Sequence, residues 1–211
     1  MPFFEEPEAE EEKENLTVRE LLTEMKDISE VIVDLAYAAL LFDSQEIGAE
    51  VRHLGSRMDT LNHEIKIRMM LASRTKQDAV QLSGLLQVAE GAASISKAAG
   101  DIVELLELNP KATPIISLVL REAEEKIRLL TLSDPSDMKG RTLVDLSIES
   151  ETGMRIIAIK RGIRWIYDPD EEVKLKEGDV MVVRGTEDGF ERLRRFASGA
   201  ERWPVYPPQE E

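Results

Sequence analysis

From Leu21 onward the apolar residues Leu21, Met25, Ile28, Ile32, Leu35, Ala39 and Phe42 recur at alternating steps of four and three. That spacing keeps them on one stripe of an α-helix, the pattern of a helix packed lengthwise along another. It excludes a half-buried strand, whose apolar positions recur at every second residue. The helix start is legible in Leu16-Thr17-Val18-Arg19-Glu20-Leu21: Thr17 is the N-cap, Glu20 completes a capping box and Leu16 staples onto Leu21. Asp43 and Ser44 interrupt the run and cap a second helix, in which Ile47, Val51, Leu54, Met58, Leu61 and Ile65 repeat the spacing. A break at Ser73-Arg74-Thr75 leads into a third helix with two apolar stripes. One runs from Leu85 through Val88, Ala92, Ile95, Ala99 and Ile102 to Leu106, the other from Ala79 through Leu82, Leu86, Ala89, Ala93 and Gly100 to Val103. A face so wide predicts a helix at the centre of a bundle. Asn109-Pro110 ends it, and Thr113-Pro114 opens a fourth helix whose buried face is Ile116, Val119, Ala123, Ile127 and Leu130.

The periodicity changes at Leu132-Ser133-Asp134-Pro135-Ser136-Asp137, a cluster of turn formers. Beyond it the apolar runs are short and rich in β-branched residues. Met154–Ile159 and Val180–Val183 read as buried strands, and Trp165-Ile166-Tyr167 as a weaker strand before a turn at Asp168-Pro169. Thr186 caps a last short helix carrying Phe190, Leu193 and Phe196. The expected fold is α+β in two domains. A disordered acidic tail (1–15) precedes an antiparallel bundle of long helices (16–132), a linker (133–138), a small α+β domain (139–198) and an extended C-terminal arm (199–211).

Composition narrows the function. The formal net charge is −15, which repels phosphate backbones and argues against a nucleic-acid partner. The acidic N-terminal residues Glu5, Glu6, Glu8 and Glu10 are the opposite of a secretory leader, and no apolar run is long enough to cross a membrane. Cysteine is absent, which removes disulfides, thiolate metal sites and cysteine nucleophiles and suits a cytoplasmic location. His63-Glu64 resembles the start of a zinc-protease motif, but Ile67 stands where the second histidine belongs. There is no glycine-rich nucleotide cradle and no serine in a nucleophile elbow. Glu30 with Asp34, and Glu46 with Glu50, are carboxylate pairs one helical turn apart; on a chain with 42 acids a solvated face is preferred over a metal site. No catalytic, cofactor or metal residue is assigned, and the chain is not expected to be an enzyme.

The stretch 139–197 resembles the TrkA-C domain, the C-terminal domain of regulators of potassium conductance. The resemblance rests on Gly140-Arg141-Thr142-Leu143, Leu146, Thr152-Gly153-Met154, Ile156-Ile157-Ala158-Ile159-Lys160-Arg161-Gly162, Pro169, Glu177-Gly178-Asp179-Val180-Met181-Val182-Val183 and Gly185. It implies a small dimerising α+β domain that regulates cation channels or transporters and in some members binds a small ligand such as a cyclic dinucleotide. The nucleotide-binding Rossmann domain that usually precedes it is not recognisable here. Ile156, Ala158, Lys160, Arg161, Arg164 and Trp165 are the candidate ligand or dimer-interface residues, and Tyr167 with Trp165 is a candidate for the dimer contact. Core packing would account for the apolar members equally well.

More weakly, residues 17–131 are similar to the PhoU-like helical domain, through Leu35-Ala36-Tyr37-Ala38-Ala39, the run Val51–Ile65 and Ile95-Ser96-Lys97-Ala98-Ala99-Gly100-Asp101-Ile102. Some PhoU proteins bind metal clusters through acidic pairs four residues apart. Here Gly55 stands in the first acidic position with Asp59 in the second, and Ala93 and Lys97 stand in the other pair, or Glu90 and Ser94 in the alternative register. No metal cluster is expected.

The pairing of these two resemblances implies a prokaryotic, archaeal-type regulatory subunit of a cation transport system, potassium by default. Its partner would be a membrane transporter or channel, and the chain would be a homodimer through its C-terminal domain. The competing expectations are a PhoU-type phosphate-signalling adaptor, a regulator of divalent-cation transport, a metal-dependent phosphohydrolase and a dimeric scaffold without a ligand.

Overall fold

The structure is a computed structural model that describes residues 16–108 and 126–204. The acidic tail, the proposed start of the fourth helix at Thr113-Pro114 and the last residues of the C-terminal arm lie outside the described residues. Three long helices come first: α1 (Val18–Leu41), α2 (Gln45–Ala72) and α3 (Lys76–Leu108). The capping box at Thr17 forms as the sequence predicts. Thr17 accepts from the Glu20 backbone N–H at 3.3 Å, and Glu20 accepts from the Thr17 backbone N–H at 2.6 Å. Ser44 caps α2, accepting from the Ile47 N–H, while Asp43 before it takes a left-handed φ of 49° and reverses the chain. Thr75 and Asp78 form a third reciprocal cap at the start of α3.

The heptad residues of α1 and α2 are buried, apart from the half-buried Phe42, together with Val31, Ala36, Ala38 and Leu40. The upper half of α1 is therefore covered on nearly all sides, by α2, by α3 and by the sheet described below. This corrects the expectation that α3 is the central helix. On α3 the stripe through Leu82, Leu86, Ala89, Ala93 and Val103 packs inward, but Leu85, Val88 and Ile95 of the other stripe are exposed.

The second half of the described chain is a four-stranded sheet with three short helices. In chain order these are β1 (Lys126–Thr131), α4 (Leu143–Leu146), α5 (Ile148–Thr152), β2 (Met154–Arg161), β3 (Arg164–Tyr167), β4 (Val180–Gly185) and α6 (Glu187–Ala197). The strand order is β1-β4-β2-β3 and every pairing is antiparallel. Ile127 and Leu130, expected on the buried face of a fourth helix, lie instead in β1. Residues Lys126 to Thr131 pair in register with Gly185 to Val180. Their spacing of three fits a helix, but as a strand it puts Ile127 on one face of the sheet and Leu130 on the other, each into a different core. The first sheet residues therefore precede the linker expected at 133–138, which is a run of turns.

The sheet is buried on both faces, as its near-continuous apolar strands require. One face (Ile127, Ile157, Ala158, Val182) joins the core of the three long helices. The opposite face (Leu130, Met154, Ile156, Ile159, Met181, Val183) packs with Leu146, Ile148, Leu193 and Phe196 of the short helices. A bulge between Ile156 and Ala158 makes both assignments possible for β2, because one extra residue shifts the alternation by one. Ile157 and Ala158 thus face the long helices in succession. Trp203 is also buried here, its ring centroid 4.7 Å from that of Phe196, so the expected C-terminal arm begins as part of this core.

Candidate functional site

The face of the sheet turned to the long helices carries basic groups, and the helices answer with acids. On β4, Arg184 donates to both carboxylate oxygens of Asp34 on α1, at 2.9 and 3.2 Å. On β2, Lys160 pairs with Glu46 at the start of α2 at 2.6 Å. On β3, the Tyr167 hydroxyl donates to Glu50, one turn further along α2, at 2.5 Å. The two carboxylate pairs noticed in the sequence, Glu30 with Asp34 and Glu46 with Glu50, are thus turned toward the sheet. They are not purely solvated: Asp34, Glu46 and Glu50 each hold a different strand, while Glu30 accepts from Lys26 at 3.0 Å, and among the described residues no group of three or more carboxylates or histidines converges.

These polar ties frame an apolar centre of Val31, Ile157, Ala158 and Val182. Two clefts open at its rim. One of about 130 Å³ lies among Glu30, Asp34, Arg155, Asp168 and Arg184. The other, of about 360 Å³, is bounded by Glu24, Asp27, His53, Arg57, Tyr167 and Asp168. Asp168 lines both, holding Arg155 at 2.9 Å from a left-handed turn with φ of 38°. The hydrogen bond that Arg155 donates to Asp168, with the charges of Glu149 and Glu30 behind it, raises the pKa of Arg155. The seam can carry force between sheet and helices, because each strand from β2 to β4 is tied to a specific turn of α1 or α2.

Tyr167 has a pKa well above its ordinary value. Burial is the larger cause, and the hydrogen bond to Glu50 adds to it, since an ionised phenolate would face a carboxylate. In the folded protein the proton is therefore retained where the unfolded chain, with tyrosine near 10, loses it. Between those two pKa values the unfolded state binds fewer protons, so stability falls as pH rises above about 10. Titration followed by phenolate absorbance is expected to show one tyrosine lagging behind the others, and Tyr167→Phe is expected to remove that lag. Simultaneous ionisation of all three tyrosines near pH 10 in folded protein would refute the contact with Glu50.

The six candidate residues from the sequence are not brought together. Ala158, Lys160 and Trp165 lie on the helix-facing side of the sheet. Ile156 lies on the other side, where it lines a cleft of about 320 Å³ with Leu143, Ser147 and Arg155. Arg161 is held by Asp179 through two hydrogen bonds of 2.8 Å and reaches the Lys174 carbonyl at 2.8 Å. Arg164 is exposed on β3, an edge strand, next to a hairpin tip where Ile163 is 96% exposed. Trp165 and Tyr167 both pack against the helical core. Sequence reasoning passed over Arg184 entirely, and it noticed Asp34 only as half of a carboxylate pair and Asp168 only as a turn former. Asp34 and Arg184 are 150 residues apart in the chain, and no spacing rule joins them.

The positions of the PhoU-type acidic pairs, Gly55, Asp59, Ala93 and Lys97, line one groove of about 830 Å³ between α2 and α3. The donors present do not fit a metal cluster. Gly55 and Ala93 offer no ligand atom, Lys97 brings a cation, and among the described residues no group of three or more carboxylates or histidines converges.

With this geometry in hand, the family match falls on the sheet and its short helices. The model of the TrkA-C domain matches residues 127–198, which begins within β1 and ends just after α6. Potassium channel protein 1 of Methanocaldococcus jannaschii is 29% identical over 97 residues, covering 46% of this chain and 29% of that protein. The Ktr system potassium uptake protein C of Bacillus subtilis is 31% identical over 74 residues, covering 35% of this chain and 34% of that protein. The chain thus spans about a third of the length of these relatives or less. Among solved structures, the RCK C domain of the potassium transport protein KtrA in complex with cyclic diadenosine monophosphate aligns with a TM-score of 0.33 and 27% identity. It covers 40% of this chain and 96% of its own.

Proposed function

We propose that this protein is a non-catalytic, ligand-sensing regulatory subunit of a cation transport system, with potassium as the ion. The observation that carries the proposal is the match of residues 127–198 to the TrkA-C domain, and it is supported by the similarity of this chain to proteins named as potassium channel and potassium uptake proteins. The division of labour follows the two cores. The C-terminal domain, starting with β1, receives the signal, and the PhoU-like helical part passes it on. A small ligand such as a cyclic dinucleotide binds where two C-terminal domains meet, at the β2–β3 edge with Arg164 exposed to it. To act as a switch it must bind two arrangements of that dimer with different affinity. The ties Asp34–Arg184, Glu46–Lys160 and Glu50–Tyr167 then convert a movement of the sheet into a movement of α1 and α2. The place of action is the cytoplasmic side of a membrane; no helix among the described residues is long and apolar enough to cross one.

The test is capture of partners from detergent-solubilised membranes of the source organism with the tagged full chain, followed by mass spectrometry. A cation channel or transporter is expected among the enriched proteins. Enrichment of a phosphate permease instead would replace this proposal with a phosphate-signalling adaptor, and capture of no membrane protein would overturn the subunit assignment.

A further inference from the structure

The last two turns of α2 depart from the rest of that helix. Ser56, Thr60 and His63 stand on its outer side, opposite the buried Met58, Leu61 and Ile65. Further along, the same side carries Ile67, Met70 and Leu71, one stripe at helical spacing, with Met70 67% and Leu71 77% exposed. Bases ring this stripe. Between Lys66 and Gln77 there are four bases and no acid, on a chain of net charge −15. Lys66 turns toward Glu90 of α3 at 3.7 Å, and Arg68 toward Glu64 at 2.7 Å. Arg74 and Lys76, in the turn after α2 and at the start of α3, pair with no acid among the described residues. Exposed apolar side chains inside a basic ring fit an occupant that is both apolar and acidic.

We propose that this face docks the chain's own N-terminal segment, with Phe3 and Phe4 on Ile67, Met70 and Leu71 and the glutamates against Arg68, Arg74 and Lys76. The composition of the segment is complementary to the face. Residues 5–14 hold seven Glu and one Lys, and the two aromatic residues stand just before them. Its point of attachment is at the right end of the bundle. The three long helices are joined by turns of three residues, so the start of α1 at Val18 lies beside the turn between α2 and α3. Accordingly, the charge of Arg68 adds to the Thr17 hydrogen bonds that lower the pKa of Glu20 in the first turn of α1. The segment is also long enough. Residues 4–16 span up to ~40 Å at ~3.3 Å per residue. The outer face of α2 lies within ~20 Å of Leu16, one interhelical spacing plus a helix radius and a short axial offset.

Tethering lets so small a contact form. A segment joined by a short chain is present at its face at millimolar effective concentration, which a separate molecule at micromolar concentration does not match. A second copy therefore loses to the segment already in place. An anionic lipid surface would meet the net charge of −6 that residues 5–14 bring to the same end of the bundle. The segment thus acts as a cover on the basic end of the bundle. Leu71 stands about 30 Å along α2 from Glu50, where the sheet is tied to the helix. Whatever displaces the cover acts at the end of the bundle remote from the sheet.

The chain has no cysteine, so a single introduced thiol reports on the face. The full chain carrying Leu71→Cys is reacted with N-ethylmaleimide at micromolar protein concentration. Adding Phe3→Ser and Phe4→Ser, which leaves every charge in place, is expected to speed that reaction at least ~3-fold, as release of a segment held at millimolar effective concentration requires. Met70→Cys is expected to respond likewise. Ile163→Cys, at the exposed hairpin tip of the sheet, is expected to react at the same rate with or without the two serines. Rates at positions 70 and 71 that do not change with the serines overturn the proposal. So does protection that grows with protein concentration, which assigns the face to a second copy. Protection that appears only on adding phosphatidylglycerol vesicles also overturns it and assigns the face to a membrane.

Discussion

Arg161→Ala is expected to destabilise the C-terminal domain by about 3–5 kcal/mol, because it strands a buried carboxylate. Asp179 is 0% exposed and accepts two hydrogen bonds from Arg161 and one from the Lys176 backbone N–H, each 2.8 Å. The guanidinium stays firmly charged, its pKa raised chiefly by the hydrogen bond to Asp179. Without it, Asp179 keeps one donor, the Lys176 backbone N–H. The turn that leads into β4 then loses the contact that anchors it to β2. That turn also holds the chain after β1, through the Leu132 N–H to the Asp179 carbonyl and the Gly178 N–H to the Leu132 carbonyl, both 2.9 Å. The loss therefore spreads across three segments. Arg161→Ala combined with Asp179→Asn is expected to recover part of the stability, since the amide oxygen still accepts from Lys176 and no charge remains. Urea unfolding followed by tryptophan fluorescence reports on this domain, since Trp165 and Trp203 both lie in it. A loss below 1 kcal/mol, with response to a ligand abolished, would return Arg161 to the role its sequence context suggested.

That contrast shows where sequence carries far and where it stops. The stripe from Leu21 to Phe42 sufficed to place α1, and the caps at Thr17, Ser44 and Thr186 fall where their spacing predicts, because these are local properties of a few adjacent residues. β1 was not legible. Ile127 and Leu130 fit a helical spacing, and only the partner strand β4, more than fifty residues on, decides between helix and strand. The choice of α1 over α3 as the covered helix was equally hidden, since both are apolar on a wide face and the sheet that covers α1 is a distant segment. The seam between the domains shows the same limit more sharply. Asp34, Glu46 and Glu50 looked like carboxylates on a solvated helix face, and their partners Arg184, Lys160 and Tyr167 become neighbours only once the sheet is laid on the bundle. The TrkA-C signature, by contrast, was readable because its glycines mark left-handed turns and one close approach, positions that favour glycine.

Gly185 is one of those close approaches, and Gly185→Ala is expected to cost about 3 kcal/mol or more, the upper end for overpacking a fixed site. Gly185 ends β4 and pairs with both Lys126 and Met154. A Cβ there would stand 2.3 Å from the Gly153 carbonyl oxygen and 2.6 Å from the Met154 sulfur. The thioether can swing aside, but the carbonyl belongs to the backbone between α5 and β2, where Gly153 is itself in the left-handed region with φ of 71°. Gly189, in the first turn of α6, repeats the arrangement, with a Cβ that would fall 2.3 Å from the Thr152 carbonyl oxygen. Two glycines thus seat two successive carbonyls, and this fixes how α5 enters β2. Shortening the side chain in Gly185→Ala/Met154→Ala is therefore expected to give no rescue, because the carbonyl contact remains. Full rescue by Met154→Ala would show that the sulfur alone sets the fit and that the α5–β2 junction can shift. That junction borders the cleft containing Ile156, so a chain that adjusts there would have a way to pass binding at this side of the sheet through β2 to Lys160, Glu46 and the long helices.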